Sequence, residues 1–329
     1  MQDFKYFKKI ISKNILFMMI LVLLLVGVSE RIVNLMVAND SYVLDRNKSI
    51  FRILREPENS VDIIVLGDSL GMTSISPMAW WGDYGMTGYV CGQTGQRMQE
   101  GFHMLQTAYE TQSPKLVILE TNMVFRCKNL SSEIKDCLGE IGYRYIPIFQ
   151  GHDIWKSILS EKQYPAENYK GFAFRCETVP YGQGEYMQKN DQKEEISKIV
   201  SFYLEKIRKL CEKNGTKLLL VSTPSPINCN YARHNSIEAY AREKGLDFLD
   251  LNLKTEEIGI NWKTDSLDNG DHLNYSGADK VTRYLGNYLT QNYTFPDHRG
   301  EKAYRAWDKE YKIYEQKAAG EMKVIRRAG

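Results

Sequence analysis

The chain has 329 residues, 43% of them hydrophobic and 12% aromatic, which supports a sizeable core and excludes a disordered or fibrous protein. Lys and Arg (43) nearly balance Asp and Glu (41), and the net charge of +2 offers nucleic acid no overall field. Six scattered cysteines (Cys91, Cys127, Cys137, Cys176, Cys211 and Cys229) form no C-x-x-C pair, which argues against a structural zinc site.

In chain order, Lys5, Lys8, Lys9 and Lys13 precede an unbroken apolar run over 15–28. Fourteen helical residues rise only about 21 Å, short of a ~30 Å hydrocarbon core, but apolar positions continue at Ile32, Val33, Leu35, Met36 and Val37. A cleaved signal peptide is one reading. No A-x-A site follows the run at once, so an uncleaved signal anchor over 1–37 is preferred. Both readings keep the basic end cytoplasmic and place the rest of the chain outside, on a single-pass cell-membrane protein if the anchor stays. Residues 38–60 are polar and charged and read as a stalk.

Residues 61–66 form a β-branched run closed by Gly67-Asp68-Ser69, a buried strand ending in a tight turn. Residues 88–91 give a second strand, and Met98, Phe102, Leu105 and Tyr109 recur at helical spacing after it. Pro114 stops that helix, and 116–119 is a third strand. Over 123–191 the periodicity fades into Gly, aromatic and charged residues, too long for an ordinary loop and therefore an insertion near the site. Cys127 and Cys137 lie there and could pair outside the cytoplasm. Its Tyr143, Tyr145, Trp155, Tyr164 and Tyr169 suit either sugar stacking or a small local core. Regular pattern returns with a helix from Ile196 to Leu210, a strand over 217–222, a helix over 237–244 and a strand over 247–250. Ser276 and Asp279 resemble a capping box opening a helix with Val281, Tyr284, Leu285, Tyr288 and Leu289 on one face. Alternation of this kind predicts an α/β fold with a parallel sheet and helices on both faces. The charged tail over 297–329 carries Tyr304, Trp307, Tyr311 and Tyr314 at helical spacing, a stripe for packing on the domain or for docking.

Gly67-Asp68-Ser69-Leu70-Gly71 is the first candidate for chemistry. A serine flanked by glycines at a buried strand's C-terminal end is well presented as a nucleophile, whereas the plain alternative is a helix cap. The string also fits the G-x-S-x-G elbow of α/β-hydrolases, but that serine follows several strands and accompanies an HGGG loop, and neither holds here. Among the histidines, His103 reads as a packing or surface residue, His234 as exposed, His298 as lying past the last helix, and His152 as a weak candidate. His272 stands between carboxylates, in Asp268-Asn269-Gly270-Asp271-His272, as a catalytic imidazole requires. Gly95, read as opening the helix after the second strand and acting through its backbone N–H, and Asn122, through its side-chain amide, are candidate oxyanion donors with Ser69.

In the order Ser69, Gly95, Asn122 and His272 the chain resembles the SGNH (GDSL) hydrolase superfamily, with Gly-Asp-Ser-Leu matched literally at 67–70. The resemblance spans roughly residues 60–292 and implies a three-layer, flavodoxin-like α/β/α sandwich over 61–296 with the insertion after the third strand. It departs at Met123, where an Asp usually follows the asparagine, and at Asn269, the family's usual acid position three residues before the histidine. Asp268 is the preferred triad acid and Asp271 stays open. The resemblance implies acyl-serine chemistry on ester bonds without cofactor or metal. Its layout is similar to membrane-tethered members of the alginate-acetylation and D-alanylation (DltD-like) systems, which implies acylated carbohydrate or envelope polymer as substrate. A membrane-bound O-acyltransferase is then a possible partner. A non-catalytic accessory of such a transferase and a broad-specificity secreted lipase are the competing readings.

Overall fold

A computed structural model describes every residue except 1, 40, 42, 44–48, 50, 127–129, 147, 152–153, 162–168 and 329, with side chains undescribed at 2–11, 130, 150 and 328 as well. Its centre is built from the five strands expected from the sequence, which become β1 (Ile63–Gly67), β2 (Gly88–Gly92), β3 (Leu116–Glu120), β4 (Lys217–Ser222) and β5 (Asp247–Asp250). All pair in parallel, in the order β2-β1-β3-β4-β5. Every residue of β1, β2 and β3 is buried, which is why these runs read as continuous apolar stretches and not as alternating ones.

Side chains nevertheless alternate between two cores. Ile64, Leu66, Val117, Leu119 and Leu220 face one side of the sheet. There they meet Phe102 and Leu105 of the helix Met98–Ala108 and Val200, Leu204 and Ile207 of the helix Lys198–Lys213. Ile63, Val65, Ile118, Leu219 and Val221 face the other side, against Trp80 of the helix Pro77–Tyr84 and Val281, Leu285 and Leu289 of the helix Tyr275–Asn292. Each such side chain, fully removed from water, contributes about 1.5–3 kcal/mol. The result is a three-layer α/β/α sandwich.

In chain order the helices are α1 (Gln2–Ala38), α2 (Ser69–Ser74), α3 (Pro77–Tyr84), α4 (Met98–Ala108), α5 (Asn122–Phe125), α6 (Leu130–Tyr145), α7 (Ile148–Gly151), α8 (Ile154–Leu159), α9 (Lys198–Lys213), α10 (Tyr231–Lys244), α11 (Thr255–Ile258), α12 (Tyr275–Asn292) and α13 (Arg305–Ala328). Within α1, the 27 residues Ser12–Ala38 are long and apolar enough to cross a membrane, at about 40 Å of rise. A signal sequence meets the same criterion. The last turns of α1 do not continue as free apolar surface, however. Met36 is buried with Val43, Phe51 and Ile154, and Ile32, Val33 and Val37 pack around them.

Four local expectations change. The second half of the segment read as a stalk belongs to the folded domain, since Phe51 is buried and Ile53 joins the main core. The insertion contains a 16-residue helix, α6, that weak periodicity concealed. The last long helix is capped by Asn274, whose side chain accepts from the N–H groups of Ser276 and Gly277, and not by a Ser276–Asp279 box. Helix α4 opens at Met98, so Gly95 lies in the preceding turn. The tail forms α13, with Trp307 packed on Trp81 at 5.4 Å and Tyr314 accepting a hydrogen bond from Ser76.

Candidate active site

Strand order reverses between β1 and β3, the place where an open parallel sheet leaves a crevice at its carboxyl edge. Ser69 follows β1, Gly95 follows β2 and Asn122 follows β3. The register aligns Leu66 with both Cys91 and Leu119, so all three residues emerge from one sheet end.

Asp68 caps α2, its Oδ1 accepting from Leu70 N at 2.9 Å, and Ser69 is therefore the first helical residue and not the cap. The turn is tight because α2 starts against β3. A Cβ on Gly67 would stand 3.1 Å from both Glu120 Cβ and Gly71 Cα. Gly95 has φ +67, a left-handed conformation, and the space where its Cβ would point is open.

Two hundred residues on, the chain returns to this edge. His272 Nε2 lies 2.8 Å from Ser69 Oγ, and His272 Nδ1 lies 2.7 Å from Asp268 Oδ2. The other Asp268 oxygen accepts from the His272 backbone N–H at 2.7 Å, so one carboxylate fixes both ring and backbone. Asp271 stands farther off, 3.7 Å from Nδ1, and Asn228 Nδ2 donates to it at 2.5 Å. Of the two aspartates left open by the sequence, the one hydrogen-bonded to the ring is Asp268, four residues before the histidine. Asn269 and Gly270, with φ of +60 and +88, form the left-handed turn that makes this longer spacing possible. Asp268, Asp271 and His272 also bring three donor atoms within 4.8 Å of one another, as a metal site would. Within that group the imidazole Nδ1 is hydrogen-bonded to Asp268.

Asn122 is buried and its amide donates to Asp68 Oδ2 at 2.8 Å, while Arg126 makes an ion pair with the same oxygen. Beneath them Glu120, fully buried, accepts from Asn122 N at 3.0 Å and from Thr223 Oγ1 at 3.2 Å. Burial, and then the neighbouring Asp68 carboxylate, push the Glu120 pKa well above the usual carboxylate range. Sequence reasoning missed Glu120, Arg126, Thr223 and Asn228, because support of this kind is distributed over strand ends with no motif. It also missed the strap formed by residues 173–181. Ala173 N donates to Met72 O beside α2, and Val179 exchanges backbone hydrogen bonds with Ser266 and Asn269 at the histidine loop.

The remaining histidines lie elsewhere. His103 packs beside Phe102 and Tyr203. His234, expected to be exposed, is largely buried and bonded to Asp250 at 2.8 Å. His298 bridges Asp62 and Glu301 and stacks on Tyr304 at 4.0 Å. His152, Tyr164 and Cys127 are outside the described residues, and Cys137 carries a free thiol. Tyr169 is buried, whereas Tyr143, Tyr145 and Trp155 are exposed and form no local core.

A hydroxyl, an imidazole and a carboxylate in hydrogen-bonded series can move a proton from the hydroxyl to the ring as a bond forms at oxygen. No protein-family model matches the chain, and no curated protein matches its sequence. Among solved structures, a Bacteroides fragilis protein designated an acylhydrolase is 13% identical with a TM-score of 0.38, over 77% of this chain and 98% of its own. A GDSL-like lipase from Bacteroides thetaiotaomicron is 12% identical with a TM-score of 0.34, over 70% and 87%. TesA is 14% identical with a TM-score of 0.36, over 70% and 98%. Superpositions this loose carry no argument about activity, and the chemistry has to be read from the residues themselves.

Proposed function

We propose that the chain is a membrane-anchored, extracytoplasmic serine esterase or O-acyltransferase working through an acyl-serine intermediate. The observation that carries this reading is the Ser69–His272–Asp268 series, with contacts of 2.8 and 2.7 Å between residues 203 and 4 positions apart. His272 takes the Ser69 proton as Oγ attacks the acyl carbonyl, and Asp268 holds the ring and offsets its charge. The backbone N–H groups of Ser69 and Gly95 stabilise the oxyanion. Asn122 contributes the amide N–H it does not give to Asp68. Collapse of the intermediate returns the proton from His272 to the leaving hydroxyl. Water or an acceptor hydroxyl then takes the acyl group by the reverse route.

Acylated cell-surface polysaccharide or envelope polymer is the proposed substrate, with acetyl as the acyl group, because the domain follows an apolar helix that would hold it at the membrane's outer face. A membrane-bound O-acyltransferase is the partner suited to such a location. A fluorophosphonate probe should label the wild type, and Ser69→Ala should abolish labelling. His272→Ala should slow it by about a thousandfold or more, in keeping with the loss of a catalytic base. Equal labelling of all three proteins would reject the enzyme reading and favour a non-catalytic accessory.

A further inference from the structure

Helix α6 is amphipathic in the wrong sense for a helix facing water. Ile134, Leu138, Ile141 and Tyr145, spaced four, three and four, form a single stripe, and all four are exposed, at 48, 65, 42 and 74%. Of its charged residues Lys135 is exposed, and the others are buried or half-buried. Glu133 is buried, and it and Asp136 meet Arg97 in the loop before α4, while Arg144 pairs with Glu110 at 2.5 Å. A surface helix normally places its apolar stripe on the core and its charges in water. Phe149 of α7 and Trp155 of α8 add exposed aromatic surface to the same stretch of chain, at 48 and 54%.

This surface adjoins α1. Tyr143 and Tyr145 line one cavity with Val26, Ser29 and Val33 of α1. Ile148 N donates to Ser29 Oγ at 3.3 Å, and Gly151 is packed so closely on Ile32 and Met36 that a Cβ there would stand 2.7 Å from each. Apart from Leu35, the exposed apolar run of α1 ends at Val28, and these contacts occupy the turns after it, so α6 to α8 stand beside the C-terminal end of the apolar span.

We propose that the outward face of α6, α7 and α8 lies on the lipid bilayer at the boundary between headgroups and acyl chains. Tyr145 and Trp155 have the amphipathic rings that settle at that depth, and the leucine and isoleucines of α6 enter the acyl region. The inference rests on α1 being the membrane span, and it is independent of the catalytic assignment.

The full chain, reconstituted in vesicles of phosphatidylethanolamine and phosphatidylglycerol with brominated acyl chains, provides the test. Of the five tryptophans, none lies in α1, Trp80, Trp81 and Trp307 are buried, and Trp262 packs on Tyr181 and Tyr186. Brominated lipid should therefore quench chiefly Trp155, one tryptophan of the five. Trp155→Phe should remove that quenching, and Leu138→Trp added to it should bring it back. A wild type that brominated lipid does not quench, or quenching that survives Trp155→Phe and does not rise when Leu138→Trp is added, would overturn the proposal, leaving the face to a second copy or a protein partner. Fluorophosphonate labelling of the same vesicles reports on Ser69 separately, so loss of one result leaves the other standing.

Discussion

Two aspartates lie within reach of one imidazole, and an ångström separates them: 2.7 Å for Asp268 and 3.7 Å for Asp271. Asp271 is also committed to Asn228, whereas both Asp268 oxygens serve His272. Asp268→Asn should therefore lower kcat/KM by ~10²–10³, less than for a fully buried triad acid because the carboxylate is 42% exposed and partly screened. Asp271→Asn should stay within about threefold of wild type. Ester hydrolysis by the two variants, measured side by side, decides the assignment, and a larger loss in Asp271→Asn reverses it. Glu120 poses a different question, since its folded pKa is raised above 4.5 by burial and by Asp68. For an acid shifted upward, the folded chain keeps a proton that the unfolded chain releases. Stability is then full below pH 4.5 and falls as pH rises toward the folded value, by up to about 1.4 kcal/mol per pH unit. Glu120→Gln mimics the neutral acid, accepting from Asn122 N and donating to Thr223 Oγ1. Denaturant titrations from pH 4.5 upward should show this variant losing less stability than wild type. A matching pH dependence would mean that Glu120 is ionised in the folded chain.

At the scale of elements, what could be read from sequence depended on whether a segment's local pattern and its burial agree. Strands β1, β3 and β4 were legible because short apolar runs between turn residues have one comfortable place, the middle of a parallel sheet. Ser69 could be singled out because it follows such a run just after Gly67, and His272 because it stands beside carboxylates shortly before a helix. Helix α6 was not. Its Glu133, Asp136 and Arg144 are neutralised by Arg97 and Glu110 from other elements, and its apolar stripe faces outward, so its pattern fits no globular template. The strap over 173–181 escaped for another reason. It holds the histidine loop by backbone hydrogen bonds, through Val179 to Ser266 and Asn269, and backbone pairing leaves little trace in residue type. The partner of the imidazole fell between these cases: the sequence offered two aspartates, and the left-handed turn at Asn269 and Gly270 brings Asp268 to the ring.

At the scale of the molecule, three segments far apart in sequence are pinned at one buried cation. Lys170, 1% exposed, places Nζ within 3.0 Å of both Glu56 oxygens, 2.6 Å from Glu310 and 4.2 Å above the Trp307 ring. Glu56 precedes β1, Lys170 lies within the insertion and lends its carbonyl to Val90 N on the edge strand β2, and Glu310 belongs to α13. Burial already raises the Glu56 pKa in spite of Lys170, so the carboxylate depends on that partner to remain charged. Lys170→Met removes the cation and strands the acid, and should cost about 3–5 kcal/mol. Adding Glu56→Gln removes the stranded charge and should recover part of that loss, which separates a missing ion pair from a simple packing defect. Because the same cation holds α13, hydrogen exchange in the Lys170→Met protein should quicken around Trp307 and Tyr314 while the amides of β1 and β3 stay protected. Exchange that rises evenly over the whole chain would instead show α13 and the sheet to unfold as one unit, with Lys170 acting on their common stability.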